Sequence, residues 1–158
     1  MTKKTKVLLV ILIILMLMLI FSGIGIYRKK VFIKPGFDKH ATLLKSKDKK
    51  KKFEDKYIEI TKDYIFYINP TPKLKDKKLY INLYSKKTNK VYLKVRIYHD
   101  DEIIGESKLI KNDYYLDYIK VNKKLKSKQK IAMEIVAYEK DTYTSGGNVK
   151  LNSFVKWR

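Results

Sequence analysis

Tyr92, Lys94, Arg96 and Tyr98 place two cations between two phenols at a spacing of two residues. In a strand, residues at i, i+2 and i+4 point to one face, so these four would form a single aromatic and basic row. Stacking rings flanked by cations are how single-stranded nucleic acids are held on a sheet. Tyrosine is also favoured in strands, and lysine is ordinary on a wet face. The row is therefore read as a candidate partner-binding face, with nucleic acid the weaker choice of occupant.

The other reactive side chains are scattered. The two histidines, His40 and His99, fit no metal-ligand spacing and are expected to be solvent-exposed. His99-Asp100-Asp101-Glu102 is the one dense acidic cluster. Its spacing is not that of a calcium loop, and consecutive side chains diverge at a hairpin tip, so it is read as a turn. Ser85, Ser107, Ser127, Ser145 and Ser153 lack a G-x-S-x-G context, and Gly146-Gly147 is no phosphate loop. With no catalytic, metal or cofactor motif, the expectation is a non-enzymatic protein that needs no cofactor.

Composition narrows the class further. The 158 residues include no Cys, which excludes disulfides, thiol nucleophiles and thiolate-ligated metals. The net charge of +21 is unevenly spread: +6 on residues 1–30, +6 on 31–52 and +9 on 53–158. Charge density is thus greatest just after the apolar stretch near the start. Cations there suit an anionic lipid surface, and Arg28, Lys29, Lys30, Lys49, Lys50, Lys51 and Lys52 are the candidate membrane-surface contacts.

Those residues need elements to position them. Residues 1–6 are short and basic. Residues 7–26, VLLVILIILMLMLIFSGIGI, carry no charge and no proline. Twenty helical residues rise about 30 Å, the thickness of a hydrocarbon core. No polar stripe interrupts the run, as a core helix would require. Gly23-Ile24-Gly25 resembles a signal cleavage site only loosely, and Tyr27-Arg28-Lys29-Lys30 looks like a membrane exit. Residues 7–27 are accordingly expected to be an uncleaved transmembrane helix embedded in the lipid bilayer. The orientation cues conflict. Basic residues after the helix outnumber those before it, yet a basic hexapeptide leading into an apolar run is how a signal anchor begins. The reading adopted is a single-pass protein with its C-terminal domain outside the cell.

Residues 28–56 read as a basic linker or stalk, with one Pro-Gly turn, a self-repelling lysine run and a weak helical signal near 38–46. From 57 onward the apolar period becomes two. Eight segments, 57–61, 64–68, 78–84, 91–98, 102–110, 114–121, 130–138 and 148–157, are rich in Ile, Val and Tyr and separated by turn residues. Val91, Leu93, Val95 and Ile97 fall on one face, as do Ile131, Met133, Ile135 and Ala137. Seven or eight strands at this spacing, with no helix between them, predict an antiparallel β-sandwich over 57–158.

The stretch from Leu79 to Trp157 resembles an immunoglobulin-like module of small membrane-anchored proteins of low-GC Gram-positive bacteria, some encoded on conjugative elements. The resemblance rests on TNKVYLKVRIYHDDEIIGESKLI, YLDYIKV, the Leu before KIAMEIVAY, and GGNVKLNSFV. It departs at Asn112-Asp113, where the pattern has Pro-Gly, and at Lys128 and Ile131, where it has Gly and an aromatic. It implies an Ig-like all-β sandwich at the cell surface and brings no catalytic residues.

The expected function is a membrane-anchored surface domain that binds or scaffolds envelope partners, with a place in a conjugation or other surface assembly. Alternatives are a charge-driven binder of polyanions (teichoic acid, anionic lipid or DNA) and an immunity or exclusion protein. The expected partners are the bilayer and a protein or anionic polymer of the cell surface.

Overall fold

The computed structural model describes residues 3–27, 34–44, 58–61 and 64–157, and the side chains of 4–6, 9, 11–19, 34–44 and 64–157. The chain divides into two compact units, 1–34 and 35–158.

In the first unit, α1 runs Lys3–Tyr27. Its Leu and Met, which are not branched at Cβ, lose little rotamer freedom in a helix, and no proline interrupts the ladder. Leu9 and the run from Ile11 to Leu19 are each 49–70% exposed. Among the described residues no helix is long and apolar enough to cross a membrane.

The second unit is all-β, with strands β1 (Thr42–Leu43), β2 (Ile58–Thr61), β3 (Ile65–Ile68), β4 (Lys73–Lys75), β5 (Lys78–Ser85), β6 (Val91–His99), β7 (Glu102–Glu106), β8 (Tyr114–Lys120), β9 (Lys130–Glu139), β10 (Ser145–Phe154) and β11 (Lys156–Trp157). Each of the eight segments read from periodicity overlaps one of the strands β2, β3 and β5–β10, with β10 beginning at Ser145, three residues before the expected start. One sheet has the order β1-β8-β5-β3-β2, with β4 on β5 and β11 on β4; the other has the order β10-β9-β6-β7. Pairing is antiparallel except between β11 and β4.

The inward residues of both sheets form one apolar cluster, which includes Leu79, Ile81 and Leu83 of β5, Leu93, Val95 and Ile97 of β6, and Met133 and Ile135 of β9. The faces expected for 91–98 and 130–138 are those observed, with Val91, Leu93, Val95, Ile97, Ile131, Met133, Ile135 and Ala137 all buried. At Gly105 on β7 the two sheets come within a backbone's width of each other. A Cβ there would lie 2.6 Å from the Lys120 carbonyl oxygen of β8, so only glycine fits.

The hairpins are tight. Asp76 and Lys77, between β4 and β5, have φ of 49° and 58°, and Asp100 and Asp101, between β6 and β7, have φ of 50° and 61°. Positive φ at both central residues is the signature of a type I′ turn, whose twist matches the flanking strands. The acidic cluster is thus a hairpin tip, as its sequence indicates.

Residues 35–44, expected within the stalk, lie in the second unit. Asp38 accepts hydrogen bonds from the backbone N–H groups of His40 (2.9 Å) and Lys108 (3.0 Å), and β1 then pairs with β8. This turn and strand replace the weak helical signal over 38–44. Leu44 is buried with Tyr84 and Tyr115 on the outer side of the sheet.

Asn89, buried in the β5–β6 connection, clamps the start of β3. Its Oδ1 accepts from the Ile65 N–H at 2.8 Å, and its Nδ2 donates to the Ile65 carbonyl at 2.8 Å and to Ser85 Oγ at 3.2 Å. Asn89→Ala should destabilise the sandwich by about 2–3 kcal/mol, because buried groups lose their partners together. Urea denaturation would measure this, and a loss below about 0.5 kcal/mol would show that the clamp is dispensable.

Candidate functional site

Tyr92, Lys94, Arg96 and Tyr98 occupy alternate positions of β6 and point away from the core, each half-buried. Register sets their neighbours on β9: Tyr92 faces Tyr138, Lys94 faces Val136, Arg96 faces Glu134 and Tyr98 faces Ala132. Beyond β9, Asn148 of β10 faces Val136 and Lys150 faces Glu134, while on the other flank Glu106 of β7 faces Arg96. The four residues predicted from spacing do lie on one face. Two carboxylates lie there with them.

Glu134 is the hub of this face. Its Oε2 accepts from the Tyr98 hydroxyl at 2.9 Å and from Arg96 Nη1 at 3.4 Å, and its Oε1 accepts from Asn148 Nδ2 at 2.6 Å. Glu106 pairs with Lys94 at 2.8 Å and lies 3.9 Å from Arg96 Nε. Burial pushes the Glu134 carboxyl up, but the hydrogen bonds from Tyr98, Asn148 and Arg96, together with the Arg96 charge, outweigh it and hold the group below the usual carboxylate range. Burial, with the Glu134 hydrogen bond, raises the Tyr98 phenol above its ordinary value. The two cations of β6 are therefore paired and held in place, unlike the free cationic strip its β6 residues alone suggest.

A cleft of about 520 Å³ opens at one end, between Tyr98, the Asp100-Asp101 turn, Lys130, Lys150, Asn152 and Phe154. Lys150 Nζ sits 5.4 Å from the Tyr98 ring centroid. Phe154 is 52% exposed and Ile103, opposite Tyr98 on β7, is 42% exposed. Apolar side chains thus flank the polar hub.

His99 corrects the sequence reading. It is 6% exposed, with Nδ1 2.9 Å from the Lys130 carbonyl and Nε2 2.6 Å from Gln129 Nε2. Nδ1 thus faces an acceptor, while Nε2 faces both the Gln129 amide and the Asp100 carboxylate, whose Oδ2 lies at 3.2 Å. His40 remains exposed beside Asp38, at 3.4 Å. Among the described residues no group of three His, Asp or Glu is placed to hold a metal. Arg28, Lys29, Lys30, Lys49, Lys50, Lys51 and Lys52 lie outside the described residues.

Spacing within β6 missed Glu134, Glu106 and Asn148. Glu134 was legible as an outward residue of 130–138, but its meeting with Arg96 depends on a register that spans 38 residues.

The fold and this face define a two-sheet, all-β module with an ordered polar surface. No family model matches the chain, and neither a curated protein nor a solved structure matches it.

A group whose pKa is lowered by folding stabilises the protein above its unfolded pKa, and that stability is lost as pH falls through the folded value. Glu134 should therefore contribute at neutral pH and progressively less below about pH 4.3. Glu134→Gln is expected to weaken the fold at pH 7 and to flatten the acid limb of its stability curve. Urea titrations across that range that superimpose, after subtraction of a constant, would contradict this.

Proposed function

We propose that the chain is a membrane-anchored, non-enzymatic binding module that presents the outward face of β10-β9-β6-β7 to a protein partner at the cell surface. The observation that carries the reading is the Glu134 hub. It fixes Tyr98, Arg96 and Asn148 in place, next to exposed Phe154 and Ile103 and an open cleft. Pre-ordered polar groups surrounded by exposed apolar and aromatic side chains suit protein recognition, since ordering costs are already met. Carboxylate partners for Lys94 and Arg96 weaken the pull of this strand on polyanions.

An Ig-like identity for the sandwich is supported by strand order. β3-β5-β8 corresponds to A-B-E, and β10-β9-β6-β7 corresponds to G-F-C-C′. The anchor is supported by the unbroken apolar run of 7–26 in the sequence and by the stretch Ile11–Leu19 of α1, where every side chain around the helix is apolar and exposed. Such a helix needs apolar surroundings.

Two measurements test this. A photo-crosslinking amino acid at position 152 of the full-length chain, in its native membranes, should give a discrete adduct that Phe154→Ala and Glu134→Ala diminish at least about fivefold; truncating a central contact commonly costs 1 kcal/mol or more. Labelling at 152 no stronger than at remote position 87 would sink the proposed face. Protease added to intact cells should digest residues 35–158. If digestion requires lysis, the domain is on the inner side and the surface role fails.

A further inference from the structure

The outer side of the other sheet carries a charge pattern that folding alone does not explain. Leu74, Leu79 and Ile119 form a cross-strand row buried in the core. On the opposite side of the pleat, the adjoining rows are Lys75, Lys78 and Lys120, and Lys73, Tyr80 and Tyr118. Lys156 of β11 pairs with Lys73 and extends the second row. Neighbouring strands are about 4.8 Å apart, so like charges directly opposite one another oppose folding.

On the other sheet the two cations of the central strand β6 have carboxylate partners, Lys94 in Glu106 and Arg96 in Glu134, and only the scattered Lys130 and Lys150 form no ion pair among the described residues. Among the described residues, none of Lys73, Lys75, Lys78, Lys120 or Lys156 forms an ion pair. The carboxylates of these strands and their turn, Asp76 and Asp117, are paired with none of them. Two rings lie amid the lysines: Tyr80 and Tyr118 have centroids 5.6 Å apart, and Lys78 Nζ lies 4.8 Å from the Tyr118 centroid.

We propose that this face, built from β4, β5, β8 and β11, docks on the anionic headgroups of a lipid bilayer. The proposal rests on the membrane-anchor reading and adds to it a second point of contact. Three observations favour a bilayer over a soluble polymer. Its strands present a broad face, which meets a planar array of charges. Lysines that reach headgroup phosphates beside interfacial tyrosines are the usual composition of such a contact. The chain also reaches this face soon after it enters the domain: Phe37 lies against Tyr92 of the other sheet at 4.9 Å, and His40 then lies against Tyr118 at 5.9 Å before β1 pairs with β8. An anchor upstream in the same chain keeps the domain at high effective concentration near the lipid, so weak contacts suffice.

The test uses the full-length chain reconstituted into vesicles of phosphatidylcholine alone, or of phosphatidylcholine with phosphatidylglycerol. Lysines are labelled with a water-soluble amine reagent and read by mass spectrometry. Labelling of Lys73, Lys75, Lys78, Lys120 and Lys156 should fall about threefold or more in the anionic vesicles and recover in high salt. Lys87, Lys90 and Lys126 should be unaffected. Lys75→Glu places a carboxylate opposite Lys78, so it should melt no lower than the parent yet lose the protection, which separates docking from folding. Equal labelling in both vesicles overturns the face while a salt-resistant protein–vesicle association upholds the anchor. Association only with anionic vesicles and only at low salt upholds the face and overturns the anchor. Protection by soluble oligothymidylate but not by phosphatidylglycerol assigns the face to a phosphodiester polymer and overturns the bilayer.

Discussion

Leu79, Ile81 and Leu83 of one sheet and Leu93, Val95 and Ile97 of the other are fully buried in a single apolar cluster. The second unit depends on that shared layer. With no Cys in the chain, covalent cross-links contribute nothing, and burial must offset the entropy of ordering the strands. The alternation that fills the layer also fixes what lies outside it. A strand whose odd positions serve the core must show its even positions to solvent, so Tyr92, Lys94, Arg96 and Tyr98 are outward because Leu93, Val95 and Ile97 are inward.

Polar groups that enter the layer are satisfied in place. Ser107 is buried; its Oγ accepts from the Val95 N–H, and its own N–H donates to the Val95 carbonyl, both at 2.9 Å. That exchange carries the chain from β7 across to the other sheet without leaving an orphaned backbone group. Asn89 does the same between β5 and β6, and His99 between β6 and the start of β9. These residues lock connections, where the alternating ladder ends and backbone groups would otherwise lose their partners.

Periodicity made the longer strands legible, because each spans enough residues for a period of two to repeat. It also gave the inward faces of β6 and β9, and the hairpin tip at Asp100-Asp101. The two-residue strands β1 and β11 are too short to show any period, so the sequence alone puts Thr42–Leu43 in the stalk. The sequence alone makes His99 look exposed because its cover comes from Gln129 and Lys130, about 30 positions away in the chain. The same limit governed both outward faces. Composition identified a cationic strip on β6 but could not show that β9 would bring Glu134 and β7 would bring Glu106 against it. Nor could it show that Lys75, Lys78 and Lys120, from three strands, would stand in one row. Charge balance on a sheet is a property of register, and register is not local.

Gly105 has a further consequence, in terms of information. Most outward positions of these sheets tolerate many residue types, since a change there alters a surface and leaves the core closed. Position 105 admits a single letter for as long as Lys120 passes 2.6 Å from where a side chain would begin. A chain that kept this sandwich while its faces diverged beyond recognition would still have to keep that glycine, or else move the two sheets apart. Gly105, which contributes no side chain at all, is therefore the fixed point from which a distant relative of this domain could be aligned.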